Sequence, residues 1–162
     1  LDPGLKAFGV GAALLAVAVG GGLGLSLLPG TSAWALAGAS AYGAVIIAGA
    51  LSFMILGMLC KIIPFLVWMK TYGPKVGRQP VPLATALGSR PLEHAWLGLH
   101  GAGLVALVGG LLTTSPLSLA VGAVVLATGV GAFLANAGRI AAHLFRPQAG
   151  AVVATRAAVS SI

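Results

Sequence analysis

Acidic side chains are almost absent from this sequence, in which Asp2 and Glu93 are the only two carboxylates among 162 residues. Both flank apolar segments, so we expect no carboxylate inside those segments to carry protons or ions, which argues against a proton-coupled transporter. Charged residues of either sign make up 7% of the chain, against about a quarter in soluble domains. So few charges cannot cover a soluble globule of this length.

Cysteine and the common catalytic or metal-binding motifs are also scarce. Cys60 is the single cysteine, which excludes an intrachain disulfide, and we interpret it as a packing residue. No two histidines have His-x-x-x-His spacing, and no glycine-rich phosphate loop follows a strand. The sequence therefore predicts no metal site, no self-contained enzyme and no cofactor bound by this chain alone.

Long apolar blocks are what the sequence does contain. Hydrophobic residues make up 59% of the chain, and blocks of about 20 such residues can cross a hydrocarbon core of about 30 Å. We predict an all-α integral membrane protein with four transmembrane helices arranged as two hairpins. One domain, 1–150, precedes a C-terminal tail, 151–162, and its helices are predicted at 5–28, 33–60, 95–112 and 117–144.

Positive charges lie at one set of helix ends. Lys6 begins the first helix, a Pro- and Gly-rich connection, 61–93, holds most of the cations, and Arg156 follows the fourth helix. With four crossings all of these fall on one side, and the two short turns on the other side carry no charge. The positive-inside rule then places both termini and the connection in the cytoplasm, at a bacterial inner membrane. Topology and anionic lipid account for the basic balance, so no nucleic-acid partner is predicted.

The second helix is expected to leave the bilayer near Lys61. The apolar run from Ala33 to Met69 is too long for one crossing, Lys61 can reach the headgroups with its long side chain, and Pro64 favours a kink. We expect the remainder to lie in the interface as an amphipathic segment. The predicted membrane-interface residues are Lys61, Trp68, Lys70, Tyr72, Arg139 and Arg146.

Most of the 25 glycines lie inside the apolar blocks. Lipid tails are as apolar as leucine, so close approach through small residues has to hold the helices together. Two interpretations stay open: tight packing within this chain's own bundle, and docking of these faces onto other subunits. The predicted packing positions are Gly20, Gly24, Gly98, Ala102, Gly122, Gly129, Gly131 and Gly138.

Three histidines are the only candidates for cofactor chemistry. His100 and His143 differ in predicted depth by roughly 18 Å, too far to share a haem iron, and His94 and His143 are both expected near the headgroups. His100 lies well inside the third helix. It is either a neutral imidazole bonded to a neighbouring hydroxyl or carbonyl, or a contact to a haem, pigment or quinone of a neighbouring subunit. Asn136 is expected to make a helix–helix hydrogen bond.

The stretch "AYGAVIIAGALSFMILGMLCKIIPFLVWMKTYGPKVGRQPVP", residues 41–82, resembles membrane proteins related to haem–copper oxidase subunit I. Its Gly-rich apolar run and its Lys-aromatic-Pro exit at 61–68 carry the likeness. The histidines of the family motif would fall near Ser40 and Tyr42, and neither is a histidine, so no haem-ligand role carries over to this chain. Because such proteins have many more helices, the resemblance implies a reduced relative that kept the scaffold and lost its cofactor.

Scarce chemistry and abundant small residues together favour a non-catalytic integral membrane subunit of a larger complex, with a respiratory or photosynthetic electron-transfer complex as the expected setting. The expected partners are other integral membrane subunits and lipids. Two alternatives stay open: an electron-transfer membrane protein that contacts haem or pigment through His100, and a small oligomeric transporter or channel.

Overall fold

The computed structural model describes residues 2–27 and 32–145, and all regular structure in those residues is helical. Four of the helices are long and apolar enough to cross a membrane: α1 is Pro3–Ser26, α2 is Ala33–Thr71, α3 is Arg90–Thr113 and α4 is Pro116–Ala142. The predicted all-α class with four candidate membrane spans is confirmed at this level. Most of the short turn between the first two predicted helices, the tail 151–162 and Arg146 lie outside the described residues.

The helix starts follow local capping chemistry. Asp2 caps α1, where its Oδ1 accepts the backbone N–H of Gly4 at 2.9 Å. Ser32 caps α2 in the same way, and both α3 and α4 carry proline in the first turn, where a missing N–H removes no helical hydrogen bond. Thr114, with a positive φ of 53°, ends α3 in the left-handed conformation immediately before α4.

Helix α2 does not end at Cys60, so the predicted boundaries of this helix and of the 61–93 connection are wrong. Its 39 residues extend over about 58 Å at 1.5 Å per residue. The helix continues through Pro64, which removes one helical hydrogen bond without breaking the helix. The segment expected to lie in the interface forms the last turns of this same helix. Helix α3 likewise begins at Arg90 rather than at 95.

Tertiary contacts hold the last turns of α2. The indole N–H of Trp68 donates to the Pro82 carbonyl at 2.6 Å. A buried apolar cluster also joins this end of α2 to the following connection and to α4, and its members are Val67, Tyr72, Leu87 and Ile140. These contacts join the last turns of α2 to residues far along the chain. They stabilise the helix beyond Pro64.

The middle of α2 is π-helical. Val45–Leu51 form the π-helical stretch between the α-helical segments Ala33–Ala44 and Ser52–Thr71. A π turn bonds residue i to i+5, and such turns often occur at functional sites. The hydroxyl of Ser52 donates a hydrogen bond to the Ile47 carbonyl oxygen at 2.8 Å. The backbone of this stretch faces the interior histidine described below.

Glycines bring α1 against α2. A Cβ added to Gly4 would lie 2.7 Å from the Gly57 carbonyl oxygen, and one added to Gly11 would lie 2.7 Å from the Ala50 carbonyl oxygen. Both distances are well inside van der Waals contact, so the two backbones approach as closely as only glycine allows. Gly4, Gly11 and Ala18 repeat at seven residues and are all buried on one face of α1.

The α3–α4 pair, whose contact is the most extensive in the bundle, uses the same device. A Cβ on Gly103 would lie 2.5 Å from the Leu126 nitrogen, and one on Gly122 would lie 2.5 Å from the Leu107 nitrogen. In the centre of the four helices, a core cluster takes one or two residues from each: Ala7, Phe53, Trp96, Leu104 and Phe133. The rings of Trp96 and Phe133 meet edge to face, with centroids 5.9 Å apart.

Candidate functional site

His100 lies in the interior of the bundle with 1% of its surface exposed. Its Nε2 lies 2.8 Å from the Ala48 carbonyl oxygen, in the π-helical stretch of α2. The ring of Phe53 meets the imidazole edge to face at a centroid distance of 4.9 Å, and Trp96 flanks it at 6.2 Å. On the other side, α4 approaches through Gly129, where a Cβ would lie 2.8 Å from the His100 nitrogen.

The contact with Ala48 determines which ring nitrogen carries hydrogen. A carbonyl oxygen only accepts, so Nε2 of His100 is the donor. Nδ1 is buried and has no hydrogen-bond partner among the described residues. His100 therefore joins α3 to α2 by a hydrogen bond, which is the carbonyl-bonded arrangement that the sequence suggested as the simpler interpretation. In this geometry the imidazole does not reach the outer surface of the bundle.

The other two histidines lie near the charged ends of the helices. Nδ1 of His143 and the hydroxyl of Tyr72 are 3.2 Å apart, and Nδ1 of the exposed His94 is 2.8 Å from the Arg90 carbonyl oxygen. Within residues 2–27 and 32–145, no three histidine, cysteine or acidic side chains come together in a way that could hold a metal ion.

The predicted packing positions divide into two groups. Gly122 and Gly129 are buried against α3. Gly20, Gly24, Gly98, Gly131 and Gly138 instead lie on the exposed surface, where an added Cβ would meet nothing within 4 Å in the described chain, and Ala102 is exposed as well. Packing within this chain's own bundle therefore does not apply to these six positions. The glycines that do pack α1, α2 and α3, such as Gly11, Gly57 and Gly103, were missed.

The predicted interface residues also separate. Lys61, Lys70 and Arg139 are exposed, and Trp68 is half-buried under Pro82. Tyr72 is completely buried, and its ring fills the space between the ends of α2 and α4. Its expected place at the membrane interface stays a prediction.

Asn136 and Glu93 both lie near Gly88, in the connection before α3. Asn136 is buried on α4, and its Oδ1 accepts the backbone N–H of Ser89 at 2.8 Å. The predicted interhelical role of Asn136 is thus seen, and it ties α4 to the start of α3. Glu93 is half-buried, and its Oε1 lies against Gly88 in the connection before α3.

Glu93 and Asp2 line the same cleft, although 90 residues lie between them in the sequence. The cleft has a volume of about 700 Å³ and lies where α1 and α3 begin, beside the middle of the second α-helical segment of α2. Its polar lining residues are Asp2, Cys60, Lys61, Thr85, Arg90, Glu93 and His94. The sequence showed these residues as unrelated flanks of separate helices, and no local signal in it joins them.

No protein-family model, no curated protein and no solved structure matches this chain.

Proposed function

We propose that this chain is a non-catalytic integral membrane subunit that packs against other membrane-spanning chains of a larger complex. The carrying observation is the outer face of α4, where exposed small residues recur at three- or four-residue spacing along the whole helix: Ala120, Ala123, Ala127, Gly131, Ala135, Gly138 and Ala142. Glycine in a helix costs about 1 kcal/mol relative to alanine. Lipid provides no compensating contact, whereas a closely packed neighbouring helix does.

Helix α1 supports the same proposal with a second exposed face of small residues. Gly9, Ala13, Ala16, Gly20 and Gly24 follow one another at three- or four-residue spacing and are all exposed. The bundle's own contacts use a different face of α1, with Gly4 and Gly11. Helix α1 therefore has two faces of small residues, one buried against α2 and one exposed. This arrangement is expected of a helix that packs against neighbours on both sides.

The interior of the bundle favours a packing role over the alternative that His100 contacts a neighbour's haem, pigment or quinone. The Nε2 of His100 already donates to Ala48, and the imidazole is buried against Phe53 and Trp96. An electron-transfer complex as the setting depends on the resemblance of residues 41–82 to relatives of haem–copper oxidase subunit I, and it stays a proposal.

Copurification tests the packing proposal. Gly131→Leu should reduce the amount of partner chain recovered in mild detergent by about tenfold, because a leucine on this face separates two closely packed helix axes. The matched control is Val105→Leu, which introduces the same side chain at an exposed position of α3, outside this face. It should leave recovery unchanged. Equal recovery of the same partners with the wild type, Gly131→Leu and Val105→Leu would refute docking through this face.

The orientation belongs to the same proposal: two hairpins with both termini and the connection before α3 in the cytoplasm. Gly4 lies against Gly57 and Gly11 against Ala50, so residue numbers rise along α1 as they fall along α2, which supports antiparallel neighbours. The contacts of Gly103 with Leu126 and of Gly122 with Leu107 support the same for α3 and α4. The described cations lie at the start of α1, in the second half of α2 and beyond it, at the start of α3 and near the end of α4, which supports one charged side.

Cysteine labelling tests this orientation. In a Cys60→Ser background, Arg78→Cys should react with a membrane-impermeant maleimide in inside-out vesicles and not in intact cells. Thr113→Cys, at the opposite and uncharged end of α3, is the matched control and should react in intact cells. Labelling of Arg78→Cys from outside intact cells would reverse the proposed orientation.

A further inference from the structure

The cleft at the charged end of the bundle contains both signs of charge at the level where the helices begin. Asp2 lies at the start of α1 and Arg90 and Glu93 lie in the first turn of α3, while Lys61 faces them from α2. Nζ of Lys61 is 3.7 Å from Oδ1 of Asp2, and both side chains are about half exposed. The ion pair thus leaves polar atoms of both residues accessible in the cleft.

The charge balance of this cleft differs from that of the whole chain. The chain has nine lysines and arginines against two acids, yet the cleft is lined by two of those cations and by both acids. His94 also faces it, with Nδ1 directed to the Arg90 carbonyl. A purely anionic ligand would meet both carboxylates of the chain, and a purely cationic one would meet Lys61 and Arg90. The lining suits a ligand that carries both charges a few ångströms apart.

One wall of the cleft continues into exposed apolar surface. Pro64 and Phe65 of α2 line it. Phe65 is also half exposed, and so are its neighbours on the outer face of the helix, Ile62, Leu66 and Met69. A soluble zwitterion would not use this surface, whereas acyl chains attached to the headgroup would lie along it. The polar cleft and the apolar wall together fit a lipid.

We propose that this cleft binds the headgroup of a zwitterionic phospholipid with a primary ammonium, as in phosphatidylethanolamine. Lys61 and Arg90 bind the phosphate through charge-assisted hydrogen bonds, and Asp2 and Glu93 accept the N–H groups of the ammonium. The acyl chains lie along the face of α2 that carries Phe65. A trimethylated ammonium lacks the N–H donors, so phosphatidylcholine binds less well, and phosphatidylglycerol lacks the positive charge altogether.

Lipid retention by the full chain tests this site. The protein is reconstituted with equal amounts of phosphatidylethanolamine, phosphatidylcholine and phosphatidylglycerol, extracted in mild detergent, and its bound lipid is measured by native mass spectrometry. We expect phosphatidylethanolamine to be retained preferentially. Lys61→Ala should reduce its retention about fivefold. Glu93→Gln, which keeps the shape of the side chain, should lower the preference for phosphatidylethanolamine over phosphatidylglycerol.

The controls separate the cleft from general attraction to lipid. Lys70→Ala removes an exposed cation that does not line the cleft and should leave retention unchanged. Glycerophosphoethanolamine, the headgroup without acyl chains, should not displace the lipid at equal concentration. Displacement by it would assign the cleft to a soluble zwitterion instead. Equal retention of the three lipids, or equal losses in Lys61→Ala and Lys70→Ala, would overturn the proposal.

Cys60 provides a readout that requires no substitution. It is the single cysteine of the chain and lines the cleft. In nanodiscs, its alkylation by N-ethylmaleimide should be several-fold slower with phosphatidylethanolamine than with phosphatidylglycerol, because a bound headgroup blocks access to the thiol. Equal alkylation rates in the two lipids would contradict a headgroup in this cleft.

Discussion

Replacing His100 by alanine should lower the free energy of unfolding of this chain by about 4 kcal/mol. The substitution removes the donor for the Ala48 carbonyl, which lies 2.8 Å from Nε2. A buried acceptor left without its donor costs about 1–3 kcal/mol. The substitution also empties the space between Phe53 and Trp96. Truncation of a large buried side chain adds a cavity term of about 2 kcal/mol or more.

Denaturant unfolding in detergent, followed by tryptophan fluorescence, measures this effect. His94→Ala is the matched control because His94 is exposed on the same helix, and its effect should stay within about 0.5 kcal/mol. His100→Leu separates the two contributions, since leucine fills much of the space and lacks the donor. We expect its effect to fall between those of the two alanine variants. Equal stabilities of His100→Ala and His94→Ala would contradict the interhelical role of His100.

Gly103→Ala is expected to destabilise the bundle by about 2–3 kcal/mol, although it adds only one methyl group. That methyl would lie 2.5 Å from the Leu126 nitrogen and 2.8 Å from its Cα, and both are backbone atoms that no rotamer change can move away. Helices α3 and α4 would have to separate, and this pair makes the most extensive contact in the protein.

Gly98→Ala is the control on the same helix, since an added Cβ there meets nothing within 4 Å in the described chain. It should be neutral or stabilising by up to about 1 kcal/mol, because alanine is the better helix former. Thermal unfolding of both variants in the same detergent measures the contrast. A Gly98→Ala variant at least as unstable as Gly103→Ala would contradict this close approach of α3 and α4.

Much of the helical framework could be predicted from local pattern. Apolar blocks predicted the helix starts within a few residues of Pro3, Ala33 and Pro116. These starts are local properties, because helix capping and proline act within one turn of the sequence. A buried His100 bonded to a carbonyl could also be anticipated from the sequence, because an imidazole inside an apolar block needs a polar partner. Its partner could not be predicted, because the π-helical stretch around Ala48 has no signature in the residue types.

Whether a given glycine is buried or exposed was the property that the sequence predicted least well. Gly103 and Gly98 lie five residues apart on one helix, and only the position of α4 makes one buried and the other exposed. Gly122 and Gly129, seven residues apart on α4, are both buried. The same spacing holds for Gly131 and Gly138, which are exposed. A repeat identifies residues on one side of a helix without saying what that side meets.

By itself, the sequence determined the helical class and the apolar character of each span, because a helix satisfies its own backbone hydrogen bonds wherever it lies in lipid. Three features depended on contacts between distant segments: the extension of α2 past Pro64, the burial of Tyr72, and the meeting of Asp2 with Glu93. Only the tertiary structure decided these, because each requires the position of a second helix or loop that no local pattern specifies.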